Sequence, residues 1–312
     1  MGTRGNIAVI CNPAAGRGRA ARRLLELERA LIGRGLEHRS SRTERVGDAT
    51  RLAIAARDDG AQAIVVVGGD GTLNEVSQAY VNGDGEPVEA PPVALLCAGS
   101  GDDFGRNSEG VGADVVSSLV ERLTHLRTRT IDIGLLTLRD ALGGEVRRAF
   151  VNVTSIGISG RVDELVSRRP RYIGGKAAYA LASLRALFSW HNVPVELHLD
   201  GRRWYHERTY VAAIANGRFF GGGYEIAPNA KLDDGELDIV CLADFSRRAT
   251  LTLGPKLRQG RHLGEPKVHA GRAQRVDVLT DVPVLVDVDG ETPGFSPLSA
   301  RIVPRAMRWI VD

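Results

Sequence analysis

Apolar and polar positions follow two different rhythms along the chain. Residues 6–11, 63–67 and 93–97 are short continuous apolar runs, the pattern of strands covered on both faces. Between and after them, residues 20–34, 48–58, 73–80 and 113–123 place apolar side chains at three- and four-residue spacing, which predicts amphipathic helices. Residues 37–43 form a weaker strand. Repeated strand–helix units predict an α/β domain with a mostly parallel sheet and right-handed crossovers. Beyond about residue 125 the rhythm changes to short β-rich runs at 129–138, 149–155, 193–199, 209–216, 237–242, 268–269, 276–279 and 284–288. Turns such as Gly143-Gly144, Asp200-Gly201 and Asp289-Gly290 separate them, predicting a β-rich antiparallel sandwich. Helices are confined there to 160–167, 176–189 and 247–258, and residues 298–311 read as two short strands.

Three strand–helix junctions in the first third carry glycine loops: CNPAAGRGRA at 11–20, GGDGTLNEV at 68–76 and AGSGDDFGRN at 98–107. In a parallel sheet all three lie at the carboxyl edge, where open α/β sheets bind ligands. Glycine lets the backbone approach closely, and exposed N–H groups cradle phosphate oxygens. Asp70 is the odd member, because a bare carboxylate beside an anion site repels phosphate. A cation such as Mg²⁺, held directly or through water, reverses that sign. Thr72 and Glu75 have the spacing of a helix capping box.

Composition narrows the choices. Only four of the 41 basic residues are lysine, and none precedes Lys176, so the first domain contains no P-loop lysine. Gly16 and Gly18 give G-x-G with Ala21 in the third place, short of a dinucleotide fingerprint. A net charge of +3 does not predict a nucleic-acid partner. No run approaches the roughly 18 apolar residues of a membrane span, and no signal peptide is evident, so a cytoplasmic protein meeting membranes from the side is expected. Cys11, Cys97 and Cys241 lie far apart in apolar runs, as reduced buried thiols do.

These motifs resemble those of the diacylglycerol kinase catalytic domain family, which includes bacterial soluble lipid kinases and sphingosine kinases. NAD kinases and phosphofructokinases share the shorter GGDGT-like element. The lipid-kinase likeness rests on its companions: NP.AG at 12–16, GGDGTLNEV, AGSGDDFGRN, YIGGKAAYALASL at 172–184, APNAKLDDGELDIV at 227–240 and DVDGE at 287–291. The third loop departs from the family's P-x-G-T-G-N-D-F-A-R: Ser100 stands for threonine, Asp102 for asparagine, and Ala98 near the proline. Serine keeps a hydroxyl, whereas Asp102 replaces a possible donor with an anion.

The resemblance implies an NAD kinase/phosphofructokinase-like first domain, residues 1–127 with 295–312 returning to it, and a lipid-substrate sandwich at 128–294. It implies ATP as phosphate donor, met by Asn12, Thr43, Gly68, Gly69, Gly71, Thr72, Glu75, Gly99, Ser100 and Asp102, with Mg²⁺ at Asp70. Asp289 matches the family's proposed general base and Glu291 its support, although Asp-Gly is also the strongest signal for a type I′ hairpin turn. A structural Mg²⁺ is implied at 231–238, with Asp234 and the carbonyls of Leu232 and Leu237 as ligands. The expected acceptor is a lipid hydroxyl, most simply diacylglycerol giving phosphatidic acid at a membrane surface. Arg168, Arg169, Arg171 and Lys176 would form a basic lip facing that membrane, and a homodimer is the default expectation. A soluble kinase of the NAD-kinase type and a nucleotide-binding regulator without turnover are the competing readings.

Overall fold

A computed structural model describes residues 6–107, 115–167 and 190–312, so the expected helix at 176–189 and the basic cluster beside it lie outside the described residues. The chain divides into two compact units, residues 1–133 with 304–312, and residues 134–303.

In the first unit, β1 (Ile7–Cys11), β2 (His38–Arg42), β3 (Ala63–Gly68) and β4 (Val93–Cys97) form a parallel sheet in the order β2-β1-β3-β4. All six residues of β3 are buried, as its unbroken apolar run requires. Helix α1 (Arg19–Gly33) buries Leu24, Leu27 and Leu31, and α4 (Val115–His125) buries Val116, Leu119 and Leu123. Those stripes share one core with Val9, Val65, Val67 and Leu96 of the sheet. Strand residues alternate faces, so Ile64 and Val66 point to the opposite side. Helices α2 (Asp48–Asp58) and α3 (Asp70–Ser77) pack against each other. Helix α3 starts at Asp70, ahead of the expected 73–80, because Gly69 is its extended N-cap residue and its first three residues carry no apolar signal. A short 3-10 turn, Gln78–Tyr80, completes the expected span.

The second unit is antiparallel. Strands β5 (Thr128–Arg139) and β6 (Glu145–Phe150) pair as a hairpin, followed by β7 (Val153–Gly157) and α5 (Ile158–Ser167). Next come β8 (Val193–Leu199), β9 (Arg202–Thr209), β10 (Val211–Ala215), the two-residue strands β11 (Phe219–Phe220) and β12 (Tyr224–Glu225), and β13 (Leu237–Leu242). Helix α6 (Arg247–Arg258), β14 (Val268–Ala273), β15 (Arg275–Thr280), β16 (Leu285–Val288) and β17 (Glu291–Ile310) complete the chain. One path runs β14-β13-β10-β7-β16-β17, and another leaves β17 through β15 and β8 to β9. Leu197, Ile214, Ile239, Val276 and Val286 share one core, and a second core packs Leu253 and Leu257 of α6 on Val211 and Val240.

Two sequence expectations are corrected, and one strand has no counterpart in the sequence pattern. The run at 149–155 is two strands, because the chain breaks at Val151 and Asn152. The tail is one 20-residue strand, β17, rather than two short strands. Its last residues belong to the first unit, where Trp309 pairs in parallel with Val93. Strand β9 carries no apolar alternation, and its RRWYHERT sequence hides it from a periodicity search.

Candidate functional site

The first group of site residues lies at the carboxyl edge of the parallel sheet. Cys11 is in register with Val67, and Gly68 with Cys97, so the three glycine loops leave the sheet side by side. Backbone bonds pin them just beyond the strands: Asn12 N–H donates to the Val67 carbonyl at 3.0 Å, Thr43 N–H to Cys11 at 2.9 Å, and Ala98 N–H to Gly68 at 2.7 Å. The glycines are there for contact. A Cβ on Gly69 would come within 2.8 Å of the Gly99 Cα, and one on Gly99 within 2.5 Å of the Gly69 Cα. Gly16 has φ 56°, and a Cβ there would meet the Ala98 carbonyl at 2.0 Å.

Asp70 organises the third loop. Its Oδ2 accepts the Asp103 N–H at 3.0 Å and its Oδ1 the Phe104 N–H at 2.9 Å. Phe104 is anchored edge-on against Trp309, ring centroids 5.0 Å apart. Both Asp70 oxygens are therefore engaged by amides, so a Mg²⁺ bound directly would compete with the loop. A hydrated ion meeting their remaining lone pairs through water fits the donor set.

Thr72 is buried, with its hydroxyl 2.6 Å from where a Gly68 Cβ would stand. Ser100 is exposed at the crest of its loop, and Asn12 Oδ1 accepts the Ala14 N–H at 3.1 Å. The capping box is not formed. Glu75 Oε2 instead accepts the N–H groups of Gly47 and Ala49, both at 3.0 Å, and so caps the neighbouring helix α2.

Asp102 sits at φ 51°, and its Oδ1 accepts the Gly99 N–H at 2.7 Å. That is a task an asparagine oxygen also performs, so the exchange leaves the turn intact. The other oxygen, Oδ2, lies 3.8 Å from Arg19 Nη2. Burial pushes the Asp102 carboxyl above the usual range; the Gly99 amide opposes it, Asp70 adds to it, and Arg19 and Arg106 lower it.

The second group lies in the second unit. Asp289 and Gly290 connect β16 to β17 with φ of 49° and 90°, the doubly positive turn a two-residue hairpin needs. The Asp289 carboxylate reaches back to the break between β6 and β7. Oδ1 accepts the N–H groups of Asn152 at 3.1 Å and Val153 at 2.9 Å, and Oδ2 accepts that of Val151 at 2.9 Å. Asp287 braces the same turn, accepting Gly290 N–H at 2.9 Å and the Ser155 hydroxyl at 3.0 Å. Glu291 follows, partly buried and paired with Val288.

In the acidic turn at 231–238, where a metal is expected, the carboxylates meet an arginine. Arg272, from the adjacent strand β14, donates to Asp234, reaches Glu236 at 2.8 Å and lies 3.7 Å from Asp238. A guanidinium stands where the divalent charge would be needed. Burial still pushes Asp238 up to about 6, with Arg272 opposing it and Asp234 and Glu236 adding to it. Among the described residues no group of three or more His, Cys, Asp or Glu side chains has metal-binding geometry. The Asp234 side chain, expected as a metal ligand beside the carbonyls of Leu232 and Leu237, is engaged by Arg272 in this turn. Adding EDTA or Mg²⁺ should leave the melting temperature of the wild type unchanged. Arg272→Ala should cost about 0.5–1 kcal/mol, a modest figure because the side chain is 44% exposed, and should make melting Mg²⁺-dependent. Scanning calorimetry checks both.

Sequence reasoning missed Arg19, Asp103, Asp287 and Arg272. Asp287 had a signal in DVDG, where the first aspartate can accept the turn amide. Arg272 had none, since its partner Asp234 is 38 residues away.

A parallel α/β unit with glycine loops at one edge, followed along the chain by an antiparallel sandwich, suits a protein that binds phosphate groups. The family model "Diacylglycerol kinase catalytic domain" matches residues 6–136, and "YegS C-terminal NAD kinase beta sandwich-like domain" matches residues 152–311. The chain belongs to the diacylglycerol kinase family of lipid kinases. A diacylglycerol kinase of Mycobacterium tuberculosis is 30% identical over 97% of this chain and 94% of its own. One from Bacillus subtilis is 28% identical over 93% and 90%. A diacylglycerol kinase structure from Bacillus anthracis aligns with TM-score 0.71 at 21% identity, covering 100% of this chain and 98% of its own. An Archaeoglobus fulgidus NAD kinase in complex with ATP shares the fold at TM-score 0.52 and 13% identity, covering 98% and 93%. No described helix is long and apolar enough to cross a membrane.

Proposed function

We propose that this kinase transfers the γ-phosphate of ATP to the hydroxyl of diacylglycerol, giving phosphatidic acid at a membrane surface. The observation that carries the nucleotide half is the interlocked Gly69–Gly99 contact with Asp70 holding the third loop. It leaves the loops lined by backbone at the sheet edge where phosphate binds. Asn12, Thr43, Gly68, Gly71, Thr72 and Ser100 complete the nucleotide's surroundings. Asp70 would hold a Mg²⁺ bound with the nucleotide, and that ion would supply neutralisation of phosphate charge. Asp289 accepts the proton of the lipid hydroxyl as that oxygen bonds to the γ-phosphorus and the bond to the β–γ bridging oxygen breaks. Glu291 supports the turn that presents Asp289. ADP and the phosphorylated lipid leave.

The test is transfer from γ-labelled ATP, with Mg²⁺, to diacylglycerol, phosphatidylglycerol, sphingosine and ceramide in separate mixed micelles, with NAD as a soluble acceptor. Labelled phosphatidic acid is the expected product. Label appearing only in NADP would overturn the lipid reading, and label in another lipid would replace diacylglycerol as the substrate.

A further inference from the structure

Three residues in a row, Gly16, Arg17 and Gly18, have φ of 56°, 58° and 84°. This left-handed stretch turns the chain back so that Arg19, the first residue of α1, faces the third glycine loop. Arg19 Nη2 donates to the Gly99 carbonyl and lies 3.8 Å from Asp102 Oδ2. Its Nε lies 2.7 Å from where a Cβ of Gly16 would stand, so a side chain there would displace the guanidinium. The guanidinium thus sits against the first loop and the third at once. Its side chain is 52% exposed, and the N–H groups beyond Nη2 have no protein partner among the described residues. A guanidinium carries five N–H donors in a planar fork matched to phosphate oxygens.

The charge balance needs such a group. Asp70 accepts two third-loop amides, and Asp102 and Asp103 lie in that loop, so three carboxylates surround loops meant for a polyanion. No lysine occurs in the first unit. Arg106 is drawn to Asp103, 3.5 Å away. Arg19 is the cation that bridges the loops.

We propose that Arg19 binds the phosphate chain of the nucleotide and that Asp102 is the positioning residue that aims its guanidinium. The exchange of the family's asparagine for Asp102 then creates an ion-paired bridge. This rests on the nucleotide reading of the glycine loops. A carboxylate that only faced the phosphates would repel them. One that fixes an arginine offsets its own charge and preorganises the donors.

Equilibrium binding of ATP and of adenosine, by titration calorimetry, tests the pair on the full chain with Arg19→Gln, Arg19→Lys, Asp102→Asn and the Arg19→Gln, Asp102→Asn double variant. Arg19→Gln should weaken ATP binding about 10- to 100-fold and leave adenosine binding unchanged, since only the phosphate contact is lost. Arg19→Lys should recover part of that loss, because charge returns without the fork. Asp102→Asn should weaken ATP binding about 3- to 10-fold when Arg19 is present and have no effect in the Arg19→Gln background, the signature of action through Arg19. In turnover the losses should fall on KM for ATP more than on kcat. Unchanged ATP affinity in Arg19→Gln would overturn the proposal, as would tighter ATP binding by Asp102→Asn in both backgrounds. A wild type that binds neither ATP nor adenosine would remove the nucleotide reading itself.

Discussion

Asp289→Asn should reduce phosphate transfer to lipid by at least about 10²–10⁴-fold, the usual contribution of a positioned proton acceptor, and it should also melt earlier. The second effect follows from the geometry of the turn. Three backbone N–H groups, of Val151, Asn152 and Val153, converge on the Asp289 carboxylate. Asparagine keeps one oxygen, which can still serve Asn152 and Val153. Its amide nitrogen then faces the Val151 N–H, donor against donor, at a cost of about 1–3 kcal/mol. For a chain of this length that is a fall of about 1.5 °C per kcal/mol.

Activity alone therefore cannot distinguish a lost base from a loosened turn. Asp287→Asn is the comparison, because Asp287 braces the same turn through Gly290 and Ser155 and the proposed reaction does not assign it the proton. Transfer, melting and ATP binding measured on both variants separate the effects. Similar melting losses with transfer abolished only in Asp289→Asn, and ATP binding intact in both, is the expected outcome. Equal residual transfer in the two would make Asp289 a scaffold residue and move the proton elsewhere.

Asp70→Asn should abolish Mg²⁺-dependent ATP binding and, with it, transfer. The amide nitrogen would face either the Asp103 or the Phe104 N–H, freeing one end of the third loop. Gly99 of that loop packs on Gly69 of the second, so the displacement reaches both glycine loops. The charge that attracts a hydrated cation is lost as well. The two effects are separable: affinity for ATP without Mg²⁺ reports the loop, and the added affinity on titrating Mg²⁺ reports the carboxylate. A variant that binds ATP with an undiminished Mg²⁺ response would exclude Asp70 from holding the ion.

The parallel half of the fold was legible because its strands are continuous apolar runs and its helices carry clean stripes. Helix α2 falls on the span its periodicity indicates, Asp48–Asp58. The glycine loops were legible for the same reason: strand order places three junctions at one edge, and local composition marks them. Partners distant in sequence were not legible. The spacing of Thr72 and Glu75 has a local meaning, the capping box, yet Glu75 satisfies amides 26 and 28 residues away. The KLDDGELD cluster has the composition of a cation site, and nothing near it indicates that Arg272 supplies the charge. Asp102 looked like an uncompensated anion because Arg19 is 83 residues earlier in the chain. Strand β17 was split in the reading because polar residues interrupt its apolar positions, while pairing with different partners along its length keeps it extended.

That strand also sets an order of events during synthesis. Trp309 supplies the pairing beside Val93 and the ring against which Phe104 packs, and the Phe104 amide is one of the two that hold Asp70. Although β1 to β4 leave the ribosome early, their loops lack this support until residue 309 has emerged, after the whole sandwich has been made. A nascent chain carrying only the first 133 residues is thus expected to be incompetent for nucleotide. Its exposed β4 edge is a surface for chaperones to cover until the final strand arrives.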